Sequence, residues 1–486
     1  MPNLPDLSEL SHAQKDELIR TLWPLQQQVR ELMAQMALMQ ERIRHLEGRL
    51  ALNSKNSSKP PSSDGMNKPA PKSMRKAGQN PNGGQAGHPG ATLRQVEQPD
   101  KIVVHDVPEH CPACQAKLSF SYIAESRQVF DLPVAKYEVT EHRTMQSICS
   151  CGHVHTAEFP YGVNASVQYG PRVQAAMVHL NQNHAVSVQR TAALMKDLFE
   201  LPVSQASVVK AVQSGANLLE PSVKDIEQAL AKAKVAHADE SGLRVAKKLH
   251  WLHVLATNTL TWLGCHPKRG TQAFESLALL HQFKGVLVHD GWIPYKALVC
   301  EHALCNQHHL RELTYLFEEQ GHTWAGDMIE LLEYANHQDN LNCAEGKTPD
   351  YDSLVYKQEV ADLRALYDAI LAQAQAENPL AVANGKRGRT KQSKAANLIA
   401  RLRDYSDDVW RFMTQADVPF TNNLAEQTVR MPKVKQKVSG CFRTPQGAQN
   451  YCVIRSYCAT MQKQGRNIFE SLVQAFMGAT PQPSFA

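Results

Sequence analysis

Three acids, Asp239, Asp290 and Glu426, are of a type and setting that suit divalent metal ions. Asp239 follows the apolar start of "KVAHADESGLRV", and Asp290 ends "GVLVHDGW", a run of the buried-strand type. If those strands are neighbours in a sheet, both carboxylates emerge at one edge. Two adjacent carboxylates repel unless something positive lies between them. Mg2+ (or Mn2+) fits, because a hard cation takes carboxylate, water and phosphate oxygens. A third acid would complete a two-metal site, with ions roughly 3.5–4 Å apart that bind the attacking and leaving oxygens. Glu426 in "FTNNLAEQTVRMP" is the candidate. It also reads as a capping-box residue three positions after a helix N-cap at Asn423. Asp417 and Glu240 are competing acids, each read as a solvated loop or strand-end residue.

A second set of ligand-type residues lies upstream. Cys111 and Cys114 form a C-x2-C knuckle, and Cys149 and Cys151 a tighter C-x-C pair. Four thiolates suit a structural, tetrahedral Zn2+, and a small β module with little core gains folding free energy from the metal. The second knuckle is one residue short, so His153 or His155 could replace a cysteine. The chain has eleven cysteines, an odd number that fits metal ligands and reduced thiols better than a disulfide framework.

The elements that must position these groups follow from pattern. "HWLHVLATNTLTWLGC" predicts a hairpin around "ATNT", and a helix is expected near Gln272 to Gln282. Residues 301–416 are helical in pattern and too long for a loop, so they read as an inserted subdomain. Within it Lys386, Arg387, Arg389 and Lys391 form a basic turn-rich segment. Beyond Glu426, Lys433, Lys435, Lys437 and Arg443 line a second basic strip. Both are candidate DNA-phosphate contacts, with a merely solvated surface as the alternative. Thr444 and Pro445 mark the cap and first residue of a later helix.

Upstream, Pro171 to about Ala233 reads as helical. There "SVQRTAALMKDLFELPVSQASVVKAVQ" gives a helix, an "LPVS" break and a second helix capped by Ser204. That is helix-turn-helix-like, fit for a major groove or for simple packing. Leu18, Leu22, Leu25, Val29, Leu32, Met36, Met39, Ile43, Leu46 and Leu50 make a three-four seam. It predicts a self-associating coiled coil, or else an amphipathic helix packed at home, with Pro24 near the helix start. The Ser-, Pro-, Gly- and Lys-rich stretch that follows cannot offset its ordering entropy and reads as a flexible linker. Its Lys55, Lys59, Lys68, Lys72, Arg75 and Lys76 could dock a polyanion.

The ordered set resembles the DDE transposases of the insertion sequence 66 family. "HADES", "HDGWIPY" and "NNLAEQTVR" are similar to the family's three catalytic stretches. The zipper, "NSSKPPSSD" linker, "GGQAGHPG" element, zinc ribbon and "QVFDLP" strand come in the same order upstream. Ser241 stands where Thr is commoner, and "QTVRMPKVKQKVSG" departs from the usual tail. The resemblance implies a ribonuclease-H-like α/β catalytic core with a helical insertion, in which Asp239, Asp290 and Glu426 bind the divalent metals. It implies that "LCNQHH" is a C-x2-H element whose Cys305 and His308 position DNA or support the site; a buried thiol and a packed histidine are the alternative. It also implies double-stranded DNA as partner, both terminal repeats and target, and small accessory proteins.

The expected architecture is therefore multidomain α+β. Residues 1–52 form the coiled coil, 53–100 the basic linker, 101–165 the zinc ribbon-like module and 166–233 the helix-turn-helix-like region. The core spans 234–300 and 417–486, interrupted by the helical insertion at 301–416. Length (486 residues) and an ordinary composition, 43% hydrophobic and 20% charged with net charge +5, agree with several soluble units. No apolar run reaches the roughly 18 residues of a membrane span, and the start lacks signal-peptide character. A cytoplasmic, nucleoid-associated protein is expected, working as a homodimer or larger assembly. The rival functions are a nuclease on the same core without strand transfer, and a non-catalytic zinc-containing DNA-binding regulator.

Overall fold

The computed structural model describes residues 11–53, 56–57, 94–120, 122–131, 137–160, 162–344, 350–381 and 390–485. The basic linker residues, the "GGQAGHPG" element, part of "QVFDLP", and Lys386, Arg387 and Arg389 lie outside them. The chain divides into two compact units. One comprises Met1–Pro71, Tyr169–Ser187 and Lys210–Ala486; the other comprises Lys72–Gln168 and Val188–Val209.

Helix α1 (His12–Leu50) opens the larger unit. Ser11 and Gln14 form a reciprocal capping box, so the helix starts well before Pro24, which sits inside it. That corrects the expectation that proline marks the start: two satisfied end groups fix the boundary, and the proline is carried within. The three-four seam stays exposed along a single chain, with Leu22 50% and Leu32 58% accessible.

In the smaller unit, β1 (Gln146–Ile148) and β2 (Val154–Thr156) form an antiparallel ribbon. The expected run of short strands is otherwise confined, among the described residues, to a His110–Lys117 bridge around the first knuckle. Helix α2 (Pro171–Val178), in the larger unit, leads into a π-turn at His179–Asn183. Helix α3 (Val188–Phe199) and the start of α4 (Gln205–Ala231) flank the "LPVS" break. The Ser204 hydroxyl accepts the Ser207 N–H at 3.0 Å and caps α4.

The larger unit is built on a mixed five-stranded sheet: β3 (Val235–Val245), β4 (Lys248–Ala256), β5 (Thr261–His266), β6 (Val286–His289) and β7 (Glu301–Leu304). Its order is β5-β4-β3-β6-β7. The first three strands form two antiparallel hairpins, whereas β3–β6 and β6–β7 are parallel. Ala246 and Lys247 take positive φ (47° and 66°) in the first turn, as a two-residue hairpin with right-handed strand twist requires. Between β5 and β6 run α5 (Thr271–Leu277) and α6 (Leu279–Gln282). All four residues of β6 are buried, as its unbroken apolar text predicts.

Two hydrophobic cores flank the sheet. Residues of β6 and β7 pack with α7 (Asn306–Gln320), α8 (Thr323–Ala344), α9 (Leu354–Glu377), α10 (Lys394–Asp404) and α11 (Ser406–Thr414) around Trp324, Tyr367 and Trp410. The other joins β3, β4 and β5 to α13 (Pro445–Lys463), with Leu424 and Val429 of α12 (Asn423–Ser439) against it. Thr444 caps α13, accepting the Gly447 N–H at 3.0 Å, with Pro445 at the first position. Helix α13 also covers the sheet edge, where unpaired strand groups would otherwise be exposed. The Thr261 and Leu263 N–H groups of β5 donate to the Thr460 and Ser456 hydroxyls at 3.0 and 2.8 Å. Helix α14 (Ile468–Phe476) closes the chain. No helix among the described residues is long and apolar enough to cross a membrane.

Candidate active site

Strand β3 does not stop at Asp239. It continues six residues further, because polar "ESGLRV" pairs with β4 through Val245↔Lys248. What stops is the parallel pairing with β6, whose last partners are His237 and Val288. Asp239 and Asp290 each lie two residues beyond that last pair. Beyond this point the β6-facing edge of β3 has no strand partner among the described residues until Phe442, whose N–H donates to Arg244 O at 3.0 Å. The acids therefore stand at a notch in the sheet.

Burial raises the pKa of Asp239 well above the usual carboxylate value, and Glu240, Asp290 and Glu426 push it in the same direction. The Asp239 carboxylate accepts the Glu240 N–H at 2.8 Å, and that of Asp290 accepts the Trp292 N–H at 2.9 Å. Glu426 also lies high, chiefly through desolvation, with Arg311 and Arg430 opposing and Asp290 adding to the rise. Acids from three separate elements thus sense one another. Metal ions set between such carboxylates would remove the repulsion.

Glu426 is not part of a capping box. The N-cap is Asn422, one residue earlier than expected, and it makes no side-chain cap bond. Its amide is committed elsewhere: Nδ2 donates to Ala238 O at 2.7 Å, and Oδ1 accepts from His237 Nδ1 at 3.0 Å. Burial holds the His237 pKa down to about 4, so the ring is neutral and its Nδ1 proton serves that bond. The Asn422 backbone N–H reaches Cys305 Sγ at 3.1 Å. One buried asparagine thus ties the strand of Asp239, the start of α7 and the helix of Glu426.

Cys305 and His308 flank the first turn of α7, and both come to Glu426. His308 Nδ1 is 3.9 Å from Glu426 Oε1. Desolvation first, then Arg311 and Arg401, hold the His308 pKa down to about 3, so this contact is not an ion pair. Burial pushes the Cys305 thiol up to about 12. Among the described residues, these three side chains form the one group whose ligand atoms all lie within 4.8 Å of one another.

The Asp290 turn is built by its neighbours. Gly291, at φ 85°, donates its N–H to His289 Nδ1 at 3.0 Å, a conformation that suits glycine. His289 Nε2 in turn lies 3.2 Å from His302 Nδ1.

Glu240 is not a solvated strand-end acid. Its side chain is 1% exposed and carries an ion pair from Arg269 at 2.5 Å, while the Tyr295 hydroxyl donates to the other oxygen at 2.5 Å. The Arg269 guanidinium lies 4.0 Å from the Trp292 ring centroid and 4.8 Å from that of Trp251. This network was missed in the sequence because its members have no local spacing. Asp417 is an exposed loop residue with φ 63°.

The basic strip also needs correction. Lys433 and Lys437, four apart on α12, are exposed, as is Arg443. Lys435 falls on the opposite helix face. It is 7% exposed, donates to Asn181 O at 3.3 Å and lies beside the Phe442 and Tyr451 rings. It is a packing residue, not a surface contact. Lys433 donates to Gly242 O at 2.9 Å, beside the notch. Lys391 is described, in the segment before α10.

In the smaller unit, Cys149 N–H donates to His153 O and Gly152 N–H to Cys149 O, both at 2.8 Å, shaping the tight knuckle. Hydrogen bonds from Cys114 and Ala113 lower the pKa of Cys111, and those from Cys151 lower that of Cys149. Among the described residues, no three of these cysteines bring their sulfurs within 4.8 Å of one another.

Residues 166–450 match the family model described as "Transposase IS66 family", and residues 2–94 match a family of unknown function (DUF6444). No curated protein matches the chain.

Proposed function

The chain belongs to the IS66 transposase family, and we propose that it cuts DNA at the ends of its own insertion sequence and joins them to target DNA. Asp239, Asp290 and Glu426 are the acids of a DDE site on a ribonuclease-H-like core. The observation that carries this reading is geometric: Asp239 and Asp290 each lie two residues past the last β3–β6 pair, His237↔Val288. Burial first, then the charges of Glu240, Asp290 and Glu426, raise the Asp239 pKa. Mg2+ or Mn2+ bound there supplies the charge that activates water for cleavage and a 3′-hydroxyl for strand transfer.

The remaining work belongs to the protein. Asp239 and Asp290, each two residues past the last β3–β6 pair, fix one side of the site, and Asn422 holds the Glu426 helix at the other. Lys433, Lys437, Arg443 and Lys391 offer phosphate contacts, Lys433 nearest the acids. The α3–α4 pair reads as a DNA-binding helix-turn-helix. A structural Zn2+ held by Cys111, Cys114, Cys149 and Cys151 would require the two knuckles to close on one ion. The exposed seam of α1 supports a coiled-coil dimer or larger assembly.

A strand-transfer assay tests this reading, using labelled duplexes made from the DNA that flanks the gene. Joined products are expected in Mg2+. Cleavage without joining would identify a nuclease instead, and metal-independent binding alone a regulator.

A further inference from the structure

Cys305, His308 and Glu426 present a thiol, an imidazole nitrogen and a carboxylate oxygen within 4.8 Å of one another. That set is too soft for Mg2+, which prefers all-oxygen ligands, and is characteristic of Zn2+. Two of the donors, His308 Nδ1 and Glu426 Oε1, are buried without hydrogen-bond partners. Unsatisfied buried atoms are rare and call for an explanation such as an ion. We propose that Cys305, His308 and Glu426 form a site for a borderline cation of the Zn2+ type, and that filling it withdraws Glu426 from the catalytic acids. The second half of this inference rests on the transposase reading; the first does not.

The local geometry suits the ion. Cys305 is the N-cap of α7 and His308 lies in its first turn, so the C-x2-H spacing brings both side chains to one side of the helix start. Two donors about 2.1 Å from a tetrahedral zinc stand roughly 3.4 Å apart. The 3.9 Å between His308 Nδ1 and Glu426 Oε1 closes to that by a small side-chain rotation. The Asn422 N–H, 3.1 Å from Cys305 Sγ, is placed to donate to a thiolate. Binding exchanges the thiol proton, released to solvent, for a metal–sulfur bond, with no change of oxidation state. His308 is already neutral and gives up nothing. Three protein ligands leave a fourth position for water. On this proposal, drawing the Glu426 carboxylate onto the imidazole–thiol pair turns it from the aspartates, so Zn2+ here opposes Mg2+ at the notch.

Cobalt(II) titration of the full-length protein tests the site without an activity readout. The wild type should bind one equivalent more than Cys305→Ala or His308→Ala, and both variants should lose a thiolate-to-cobalt absorption component. The ribbon cysteines are intact in all three proteins and cancel in the comparison. Cys452→Ala, which removes a buried thiol elsewhere, should bind as the wild type does; if it too loses an equivalent, the difference reflects general destabilisation and the assignment fails. Equal stoichiometry in wild type, Cys305→Ala and His308→Ala overturns the site. Micromolar Zn2+ should then slow Mg2+-dependent cleavage about tenfold or more in the wild type. Cys305→Ala, compared with its own zinc-free rate, should be slowed much less. Equal inhibition would overturn the opposition to Mg2+ while leaving the site itself intact. A wild type that never cleaves would sink the transposase reading and that opposition, and the cobalt result would still stand.

Discussion

Asn422 donates its amide Nδ2 to the carbonyl oxygen of Ala238 at 2.7 Å, and by that bond the residue before the Glu426 helix is joined to the residue before Asp239. The distance between two of the three proposed metal-binding acids is set by a neutral side chain that belongs to neither. Asn422→Ala should therefore leave Ala238 O and His237 Nδ1 without their buried partners. The expected cost is about 2 kcal/mol of stability, seen as a lowered denaturation midpoint. Misplacement of Glu426 by about an ångström should slow cleavage about a hundredfold. A variant with normal cleavage would show that the tie is dispensable.

Asp239→Asn, Asp290→Asn and Glu426→Gln should each reduce Mg2+-dependent cleavage by a factor of about a thousand or more, since each removes a metal-binding charge. DNA affinity in a gel-shift assay should change less than threefold. Full activity in any of the three removes that residue from the site.

The raised pKa of Asp239 makes a prediction about pH in metal-free protein. A carboxyl that binds its proton more tightly when folded costs stability once both states are ionised, and that cost fades as pH falls through the folded pKa towards the ordinary value. In EDTA, Asp239→Asn should melt a few degrees above the wild type near pH 8. The gap should shrink as pH is lowered towards 4, and added Mg2+ should close or reverse it at pH 8. Comparing the two proteins cancels the histidines. His237 and His308, with pKa values held down to about 4 and about 3, favour unfolding as pH drops below 6.5. A variant less stable than the wild type in EDTA at pH 8 would contradict the electrostatic account of the site.

Removing residues 1–50 should lower the number of protomers per particle measured by light scattering, because the exposed Leu22, Leu32 and Ile43 face of α1 is the proposed self-association surface. An unchanged number of protomers would place that surface elsewhere.

What the sequence made legible here was local. Apolar runs marked β6 and the start of β3, and Thr444–Pro445 marked α13. The "LPVS" break with Ser204 marked the α3–α4 turn. What it hid was set by contacts far apart in the chain. Nothing local in the sequence marks Asn422, because its partners His237 and Ala238 lie 185 and 184 positions away. Glu240 looked solvated because Arg269, which neutralises it, arrives from beyond β5. Lys435 is different. Helical geometry alone sets it about 200° from Lys433, so its separation from the exposed strip follows from period and not from tertiary structure.

The notch beside β3 holds two consecutive acids, and consecutive residues of a strand point to opposite sides of a sheet. Asp239 is left among acids that raise its pKa, whereas Glu240 is already answered by Arg269 and Tyr295. A one-residue insertion between Val235 and Asp239 would leave the chain just as acidic at that spot but turn the guanidinium-bound side chain towards the nucleic acid. Such a protein would keep every acid in its composition and still be catalytically silent, its fault lying in phase and not in chemistry.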